Sequence, residues 1–539
     1  MTNMRQFSDP VPEDEVDPLA FGNDPTAAAA YYDSLTFLRL RAAAKAARNE
    51  CGLSQTAVAE RMGTTQSAVS DLESGRGDAQ LNTWQRYARA VSRRFAFSLE
   101  RPHTPVQIPV AALALSPVLT ELSRAAKAQT VHFISKEAKL PVPLVTRILA
   151  RLTDEGWALP SREGESDSYS LVDEAANLIG MSLHGDRIVG VLIDMKGRLQ
   201  SEIQTYTLVS STPETVVASA TQLTESLFNI SRAADKHVLG VGVCLAGLVD
   251  ADTGRVSYAP DLESRDDGWA DVDLETMLQE RIQNQVHEAL RVAVSNDANA
   301  LALSHYRGRH FAPRSAYDLT DYTATSAALI LISGAGVGAG FIVNGNLLQG
   351  ANSKAGEIGH LIVDRGKHAP PCRMGRKHTG CLETVATPRG VLRALDLPAD
   401  TSTERKQSLE LANAKIQEGD KKYREAFFTA GKRLGSVLPL ISILDAEEVT
   451  MYCAPALHLP EFATARAFQE GVGEALNDAE RSGVLPSEYP ALRWLNLEED
   501  TLARAAGVAM LVSQFLQKPS DWYPGLEQAI DRDSELVLA

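Results

Sequence analysis

The sequence predicts a multidomain protein: an all-α helical module, a second helical module ending in a β-hairpin wing, and a large two-lobed α/β body. Three observations predict it. At 539 residues the chain is longer than the roughly 250–300 residues that one hydrophobic core serves. From about Leu35 to Phe97 and from about Ala112 to Leu171, apolar residues carry helical spacing with short polar connections. From about Asn177 onward, strand patterns alternate with helical ones, the mark of an α/β layer structure.

The expected divisions begin with an acidic, Pro-rich, disordered tail over residues 1–32 and a helical module over 33–100. A linker with Pro102, Pro105 and Pro109 spans 101–112, the winged module spans 113–174, and the body spans 175–539, its lobes parting at about 295/296. The net charge of −16 argues against nucleic acid as an average, yet Asp33 to His103 holds 11 Lys/Arg against 7 Asp/Glu. Nucleic acid needs positive charge on one face only, so the local excess keeps that class open. Five cysteines in so long a chain make no disulfide framework. No apolar run reaches the roughly 18–20 residues that cross a bilayer. The first residues have neither a basic start nor an apolar signal core. A cytoplasmic protein with no membrane partner is the expectation.

In the first module, GLSQTAVAERMGTTQSAVSDLESGRG reads as two helices around a tight turn. Ser54 suits the cap of the first, with Ala57, Val58 and Met62 on its inner side. Gly63 permits the sharp turn, Thr64 and Thr65 open the second helix, and Ala68, Val69 and Leu72 point inward. Gln66, Ser67, Ser70 and Asp71 then face outward beside Gln55. Short polar side chains at an exposed helix start suit base edges, and a bidentate Gln–adenine pair discriminates by about 1–3 kcal/mol. Arg61, Arg76, Arg86 and Arg89 are candidates for phosphates, which position a protein without reading sequence. With its SQ-x-x-x-A-x-x-x-G-x-x-x-x-x-x-S-x-x-E pattern, the segment resembles the Cro/repressor-type helix-turn-helix, the XRE family. The resemblance implies double-stranded operator DNA as a partner, contacted by Gln55, Thr65, Gln66, Ser67, Ser70 and Arg76. The alternative is a polar helical bundle used for protein contacts.

In the second module a helix through Ile134 to Lys139 precedes Leu140-Pro141, and a helix from Leu144 to Glu155 ends at Gly156. Val145, Ile148, Leu149 and Leu152 form its buried face, while Thr146, Arg147 and Arg151 lie outside it. WALPSREGESDSYSL reads as two short strands around a charged tip. The segment resembles the winged helix that precedes the body in ROK-type repressors (repressor, open reading frame, kinase). That implies a second DNA reader acting through Thr146, Arg147 and Arg151. The wing departs from the family's Gly-Gly-Arg-rich ending, with SDSYS instead, so a hinge or dimerisation element is the alternative.

In the body, NLIGMSLHGDRIVGVLIDMKGRLQSEIQTYTL reads as three antiparallel strands turning at His184-Gly185-Asp186 and Lys196-Gly197. A helix follows with Ser211, Pro213 and Glu214 as its capping signal, and then the strand VLGVGVCLAGLVD. This β-β-β-α-β order is that of the RNase H-like half of the actin and sugar-kinase fold. VSNDANALALSHYRG, SGAGVGAGFIVNGNLLQGANSKAGEIGH and GCLETVAT carry the resemblance to the ROK family over about residues 177 to 512. Glycines 334, 336, 338 and 340 are expected to let a turn approach a ligand closely. The resemblance implies that Asn296, Asp297, Glu357, His360 and Glu383 bind sugar hydroxyls, with Asp297 at the family's general-base position. Carboxylates, an amide and an imidazole pair naturally with a ring of hydroxyls.

Two motifs depart from the family. Its phosphate-holding D-x-G-G-T hairpin is Ser182-Leu183-His184-Gly185-Asp186 here, and the Asp186 carboxylate repels phosphate. The glycines expected beside adenosine are replaced by Cys453, Ala454 and Pro455. A structural zinc is implied on His360, Cys372, His378 and Cys381. Met374 stands at the family's middle Cys position, in a loop two residues longer, and His378 is the replacement donor. The reading is a sugar-kinase fold without ATP or catalysis, in a DNA-binding regulator (a repressor) of carbohydrate metabolism. A sugar or sugar phosphate is its effector, and a homodimer or tetramer sets two recognition helices on a pseudo-palindromic operator. The alternatives are an active sugar kinase with DNA-binding appendages, and a regulator whose body only dimerises.

Overall fold

The computed structural model describes residues 40–92 without 42, 50 and 75–80, and residues 110–250 without 126 and 164–165. It further describes 252–517 without 261, 263–268, 289, 312–325, 373–377 and 484–491. The expected tail over 1–32, the three linker prolines, Arg76 and Met374 lie outside the described residues.

In the first module Ser54 Oγ accepts the Ala57 N–H at 3.1 Å and opens α1 (Gln55–Met62), which Gly63 ends at φ +62°. Helices α2 (Gln66–Ser74) and α3 (Leu81–Ala90) close with it around Val58, Met62, Val69, Leu72, Trp84 and Tyr87. Ala68 differs from expectation: it is exposed, and Ala59 joins the core instead. Val69 and Leu72 set the inner stripe of α2, and Ala68 sits one step of about 100° away from it.

The second module runs through α4 (Val110–Arg124), β1 (Gln129–Thr130), α5 (Val131–Ala138) and α6 (Val142–Asp154) into the wing strands β2 (Ala158–Glu163) and β3 (Ser166–Leu171). The strands pair antiparallel in the order β1-β3-β2. Helix α4 starts inside the stretch read as linker. Val145, Ile148, Leu149 and Leu152 of α6 are fully buried, and Gly156 at φ +78° turns the chain out of the helix.

The first lobe of the body contains β4 (Asn177–Leu183), β5 (Arg187–Asp194), β6 (Gln204–Thr207), α7 (Pro213–Ala233) and β7 (Val238–Leu245). The short pair β8 (Leu248–Val249) and β9 (Val256–Tyr258), then α8 (Leu274–Val286) and β10 (Arg291–Asn296), complete it. Its sheet runs β10-β7-β4-β5-β6, with β4, β5 and β6 antiparallel and β7 and β10 parallel to β4. Helix α7 is capped by Thr212, whose side chain accepts the Thr215 N–H, and not by Ser211. The Ser211 carbonyl instead receives the indole N–H of buried Trp269 at 2.6 Å.

Helix α9 (Asp297–Phe311) leads to the second lobe, with β11 (Ala327–Ile332), β12 (Val337–Val343) and β13 (Asn346–Leu347). Then come α10 (Leu382–Ala386), α11 (Pro388–Ala394), α12 (Ser402–Gln417), α13 (Lys421–Gly435), β14 (Glu448–Cys453), α14 (Pro455–His458), α15 (Ala463–Arg481) and β15 (Leu492–Asn496). The second sheet, β13-β12-β11-β14-β15, repeats the strand order and senses of the first. One topology is used twice, and the cleft lies between its two copies.

Helix α16 (Thr501–Met510) departs from the expected division, because it returns to the first lobe. A Cβ on Gly180 of β4 would stand 2.0 Å from the Ala503 carbonyl oxygen, and one on Gly242 of β7 would stand 2.1 Å from that of Ala506. Only glycine permits this approach of helix to sheet. Beyond α16, a π turn over Leu511–Phe515 stacks Phe515 on Trp157 of the second module at 5.7 Å between centroids. Ser116 Oγ of α4 donates to the Leu516 carbonyl at 2.6 Å.

Gly180→Ala is expected to destabilise the body by at least about 1–3 kcal/mol through overpacking, read as a lower urea midpoint. Gly473→Ala in α15, whose added Cβ meets nothing within 4 Å, is expected to leave stability equal or higher.

Candidate functional site

Four of the five residues assigned to sugar hydroxyls come from helix starts and a tight turn beside the second lobe. Asp297 is the first residue of α9, 7% exposed, and its Oδ1 accepts the Ala298 N–H at 2.8 Å. Glu383 stands in the first turn of α10, 6% exposed. Glu357 precedes a 3-10 turn over Ile358–His360, and His360 ends it. Gly356, at φ +95°, presses that turn against β12, where a Cβ would stand 1.9 Å from the Ala339 oxygen. His360 Nε2 is 3.5 Å from Glu357 Oε2, and His360 Nδ1 is 3.7 Å from Glu383 Oε1. Asn296, at the end of β10, has both amide atoms in use: Nδ2 donates to the Gly247 carbonyl at 2.9 Å, and Oδ1 accepts the Asn299 N–H at 3.1 Å. It retains one N–H and one lone pair for a ligand.

The electrostatics follow from three carboxyl groups in a half-enclosed space. Burial, and then the charges of Asp297 and Glu383, push Glu357 up to about 7, against the pull of Lys354. Burial and the neighbouring His378 hold His360 below the usual imidazole value. Near neutrality the cluster therefore offers both acceptors and a carboxylic O–H donor, a set that suits vicinal hydroxyls.

His360 also belongs to a second group. Its donor atom and those of Cys372, His378 and Cys381 all lie within 4.8 Å of one another. Cys372 Sγ is 3.6 Å from His360 Nδ1. Cys372 and Cys381 are buried, and His378 Nε2 is a buried nitrogen with no hydrogen-bond partner. Two thiols and two imidazoles converging in this way fit a tetrahedral zinc. The intervening loop is held by isolated bridges Ile362–Cys381 and Pro371–Thr379, and by the Gly380 N–H on the Pro370 carbonyl at 2.7 Å. If Nδ1 of His360 ligates metal, its Nε2 faces Glu357, the arrangement by which an outer carboxylate orients a ligating imidazole.

A cavity of about 760 Å³ opens between the lobes, lined among others by Asp186, Gly334, Arg389, Ser402, Pro455 and Phe462. Of the four glycines expected to approach a ligand, Gly334 borders this cavity. Gly338 and Gly340 do not serve that purpose: they lie in β12 and make room for α9, where Cβ atoms would stand 3.0 Å from Ala298 Cβ and 2.4 Å from Ala302 Cβ. Ala454 and Pro455 also line the cavity, as their position after β14 led one to expect.

In the first module a chain of polar bonds fixes the outward face. Gln66 Nε2 donates to Gln55 Oε1 at 2.7 Å, and Gln55 Nε2 donates to Glu73 Oε2 at 3.0 Å. Glu73 is gripped by the Arg48 guanidinium at 2.7 and 3.0 Å, and by the Tyr87 hydroxyl. Thr65, Gln66 and Ser67 are exposed and Ser70 is half-buried. Thr65 Oγ1 accepts the Ala68 N–H at 3.2 Å and starts α2. Arg61 and Arg86 are partly committed, to the carbonyls of Ala90 and Met62, and with Arg89 they line a shared open pocket. In the second module Thr146 is exposed and Arg147 half-buried, and Arg151 is bound at 2.8 Å to Glu155, the residue that caps its helix. Arg48 and Tyr87 were missed by the sequence reading; the Glu that ends the S-x-x-E pattern was the available signal for their partner.

A helix-turn-helix module ahead of a two-lobed, actin-like sugar-kinase fold defines the class of the molecule. The chain belongs to the ROK family: the family's model matches residues 178–449, half of the chain, and a helix-turn-helix model matches residues 45–94. It is 33% identical over 192 residues to a glucokinase of Halalkalibacterium halodurans, covering 33% of this chain and 49% of that one. It is 27% identical over 222 residues to the xylose repressor of Bacillus subtilis, covering 41% and 50%. The chain thus spans about half the length of these two relatives. With the DNA-binding transcriptional dual regulator NagC of Escherichia coli it shares 26% identity over 336 residues, covering 59% and 75%. The crystal structure of a ROK family transcriptional regulator, a homolog of the E. coli MLC protein, superposes with a TM-score of 0.57 at 19% identity, over 78% of this chain and 98% of that one. That likeness extends the shared fold beyond the body. No helix among the described residues is long and apolar enough to cross a membrane.

The Glu73 network yields a pH prediction. Burial alone raises the Glu73 carboxyl, but bonds from Arg48, Tyr87 and Gln55 more than offset it, and the group ends below its ordinary 4.5. Its stabilisation is therefore complete above about pH 4.5 and is lost as the pH falls through the lower folded value. Glu73→Gln is expected to destabilise the first module at pH 7, because it removes the counter-charge that Arg48 grips. Hydrogen exchange over residues 43–92 checks this: the variant should exchange faster at pH 7, and the difference should begin to narrow only as the pH falls below about 4.5.

Proposed function

We propose that this protein is a DNA-binding transcription regulator, a repressor of carbohydrate metabolism, whose body binds a sugar or sugar phosphate without phosphorylating it. The observation that carries the reading is the combination of an ordered Gln55–Gln66 edge in a helix-turn-helix with the Asp297, Glu357, His360 and Glu383 cluster in the same chain. Gln55, Thr65, Gln66, Ser67, Ser70 and Arg76 would meet operator DNA, and Thr146, Arg147 and Arg151 would serve a second contact. Asn296 and the four clustered residues would bind hydroxyls. His360, Cys372, His378 and Cys381 would hold one structural zinc, whose chemistry here is to fix the loop that presents His360 and Glu383. A cytoplasmic homodimer or tetramer fits a pseudo-palindromic operator. No ATP is required, since Asp186 stands in the hairpin where phosphates would be held.

A panel of sugars and sugar phosphates should contain a ligand that raises the melting temperature of the parent but not of Glu357→Ala. The same ligand should change affinity for DNA upstream of the protein's own gene by about 5–150-fold. A panel without any shift overturns the sensor reading. An active kinase is the second reading, favoured by the open cleft and the retained Asp297. ATP-dependent phosphorylation of a hexose, abolished by Asp297→Asn, would establish it.

Elemental analysis of protein purified without chelator should find one zinc per chain. Cys381→Ser is expected to lose the metal and melt at lower temperature. A metal-free parent of unchanged melting temperature excludes the zinc.

A further inference from the structure

The turn between β4 and β5 reaches across the cleft to the other lobe. Asp186 Oδ2 accepts the hydroxyl of Ser402 at 2.7 Å, a contact between residues 216 apart in sequence. Arg187 Nη1 donates to the same Ser402 Oγ at 3.3 Å and to Asp186 Oδ1 at 3.1 Å. Ser402 is the first residue of α12, whose capping box already engages the Glu404 N–H through Thr401 and the Thr401 N–H through Glu404. The Ser402 hydroxyl is thus the group of that first turn that meets the opposite lobe.

All three residues line the cavity between the lobes. Three further cations line its wall, Arg389, Arg405 and Lys406, and the first two are bonded to acceptors of the second lobe. Arg389 Nη2 bonds Asp400 Oδ1 at 2.8 Å, and Arg405 Nη1 bonds the carbonyls of Ala399 and Asp400 at 3.2 and 2.9 Å. His184, in the same turn as Asp186, is folded back on Ser182 Oγ at 3.1 Å. The negative charge that joins the lobes therefore comes from the chain itself. A carboxylate fixed here opposes a second anion by direct repulsion, and the start of α12 favours the one already present.

We propose that Asp186 is a tethered anion that latches the two lobes through Ser402 and keeps polyphosphate out of the part of the cleft that the latch spans. A phosphate-bearing molecule would have to displace the Asp186–Ser402 bond and sit beside the carboxylate. An uncharged ligand can enter along Pro455 and Phe462 with the latch intact. The inference needs only the two-lobed body and makes no use of a sugar.

The test uses the full chain with magnesium tripolyphosphate as the probe. Binding is followed by calorimetry, and hydrogen exchange is followed over residues 184–187 and 401–406. The parent should show no binding at millimolar probe. Asp186→Ala should bind at least tenfold more tightly and exchange faster in both segments. Ser402→Ala, which keeps the charge and loses the bond, should exchange faster without gaining affinity. If Asp186→Ala does not fold, Asp186→Asn takes its place: it removes the charge while keeping an acceptor, so affinity should rise with little change in exchange. Equal binding by parent and Asp186 variants, or unchanged exchange in Ser402→Ala, overturns the proposal. Neither readout involves a sugar, so a failed sugar panel and a failed latch are distinguishable.

Discussion

Helix α16 meets the first sheet backbone to backbone, at Gly180 against Ala503 and at Gly242 against Ala506. An ordinary helix–sheet contact has side chains between the two layers and can slide by repacking them. Here the carbonyl oxygens of the helix occupy the space of two missing Cβ atoms, so its height above β4 and β7 is set sterically. The same helix packs on α9, whose first residue is Asp297. Its continuation through the π turn carries Phe515 onto Trp157 and receives Ser116 at Leu516. One apolar cluster accordingly runs from Leu149 and Leu152 of the second module through Ala503 and Phe515 into Leu178 and Val191 of the first sheet. The cleft, the first lobe and the winged module share an element that cannot shift in one place alone.

The second lobe is seated by a related device. Gly338 and Gly340 bring β12 against Ala298 and Ala302 of α9, so the helix that starts at Asp297 is clamped from both sides. That explains why two of the four glycines in a segment read as a ligand-approaching loop serve as a packing surface. Glycine serves close approach in either case, and a sequence does not say whether the approaching body is a ligand or a helix.

Much of the architecture was legible because it rests on local chemistry. The Ser54 cap, the Gly63 turn, the α6 stripe and the three-stranded hairpin series are each dictated by neighbouring residues. What the sequence reading missed depends on distance. The return of α16 to the first lobe, the Arg48–Glu73–Tyr87 grip and the Ser402–Asp186 bridge join residues far apart in the chain. The Thr212 cap was missed for a smaller reason: three hydroxyl residues, Ser210, Ser211 and Thr212, precede Pro213, and only the last of them caps the helix. The residues attributed to a sugar were legible only as a motif resemblance. Nothing in their spacing announces that residues 297, 357 and 383 contribute carboxylates that feel one another's charge.

That shared charge bears on why the cleft and the cluster differ in character. Burial and the charges of Asp297 and Glu383 raise Glu357 to about 7, so the cluster sits at the edge of what one enclosed space can ionise. Hydroxyls relieve this strain, since each carboxylate accepts an O–H and a protonated Glu357 donates one. A polyphosphate in the cavity between the lobes, whose lining does not include these carboxyls, would bring its negative charge beside Asp186 instead. Arg389 and Arg405 are bound to Asp400 and to carbonyls of their own lobe, and Arg187 is matched by Asp186. Of the cations on the cleft wall, Arg187 and Arg389 are thus paired with carboxylates of the protein. The carboxylates of the cluster and of Asp186 thus favour hydroxyl partners, which can donate to them, over a further anion, which cannot.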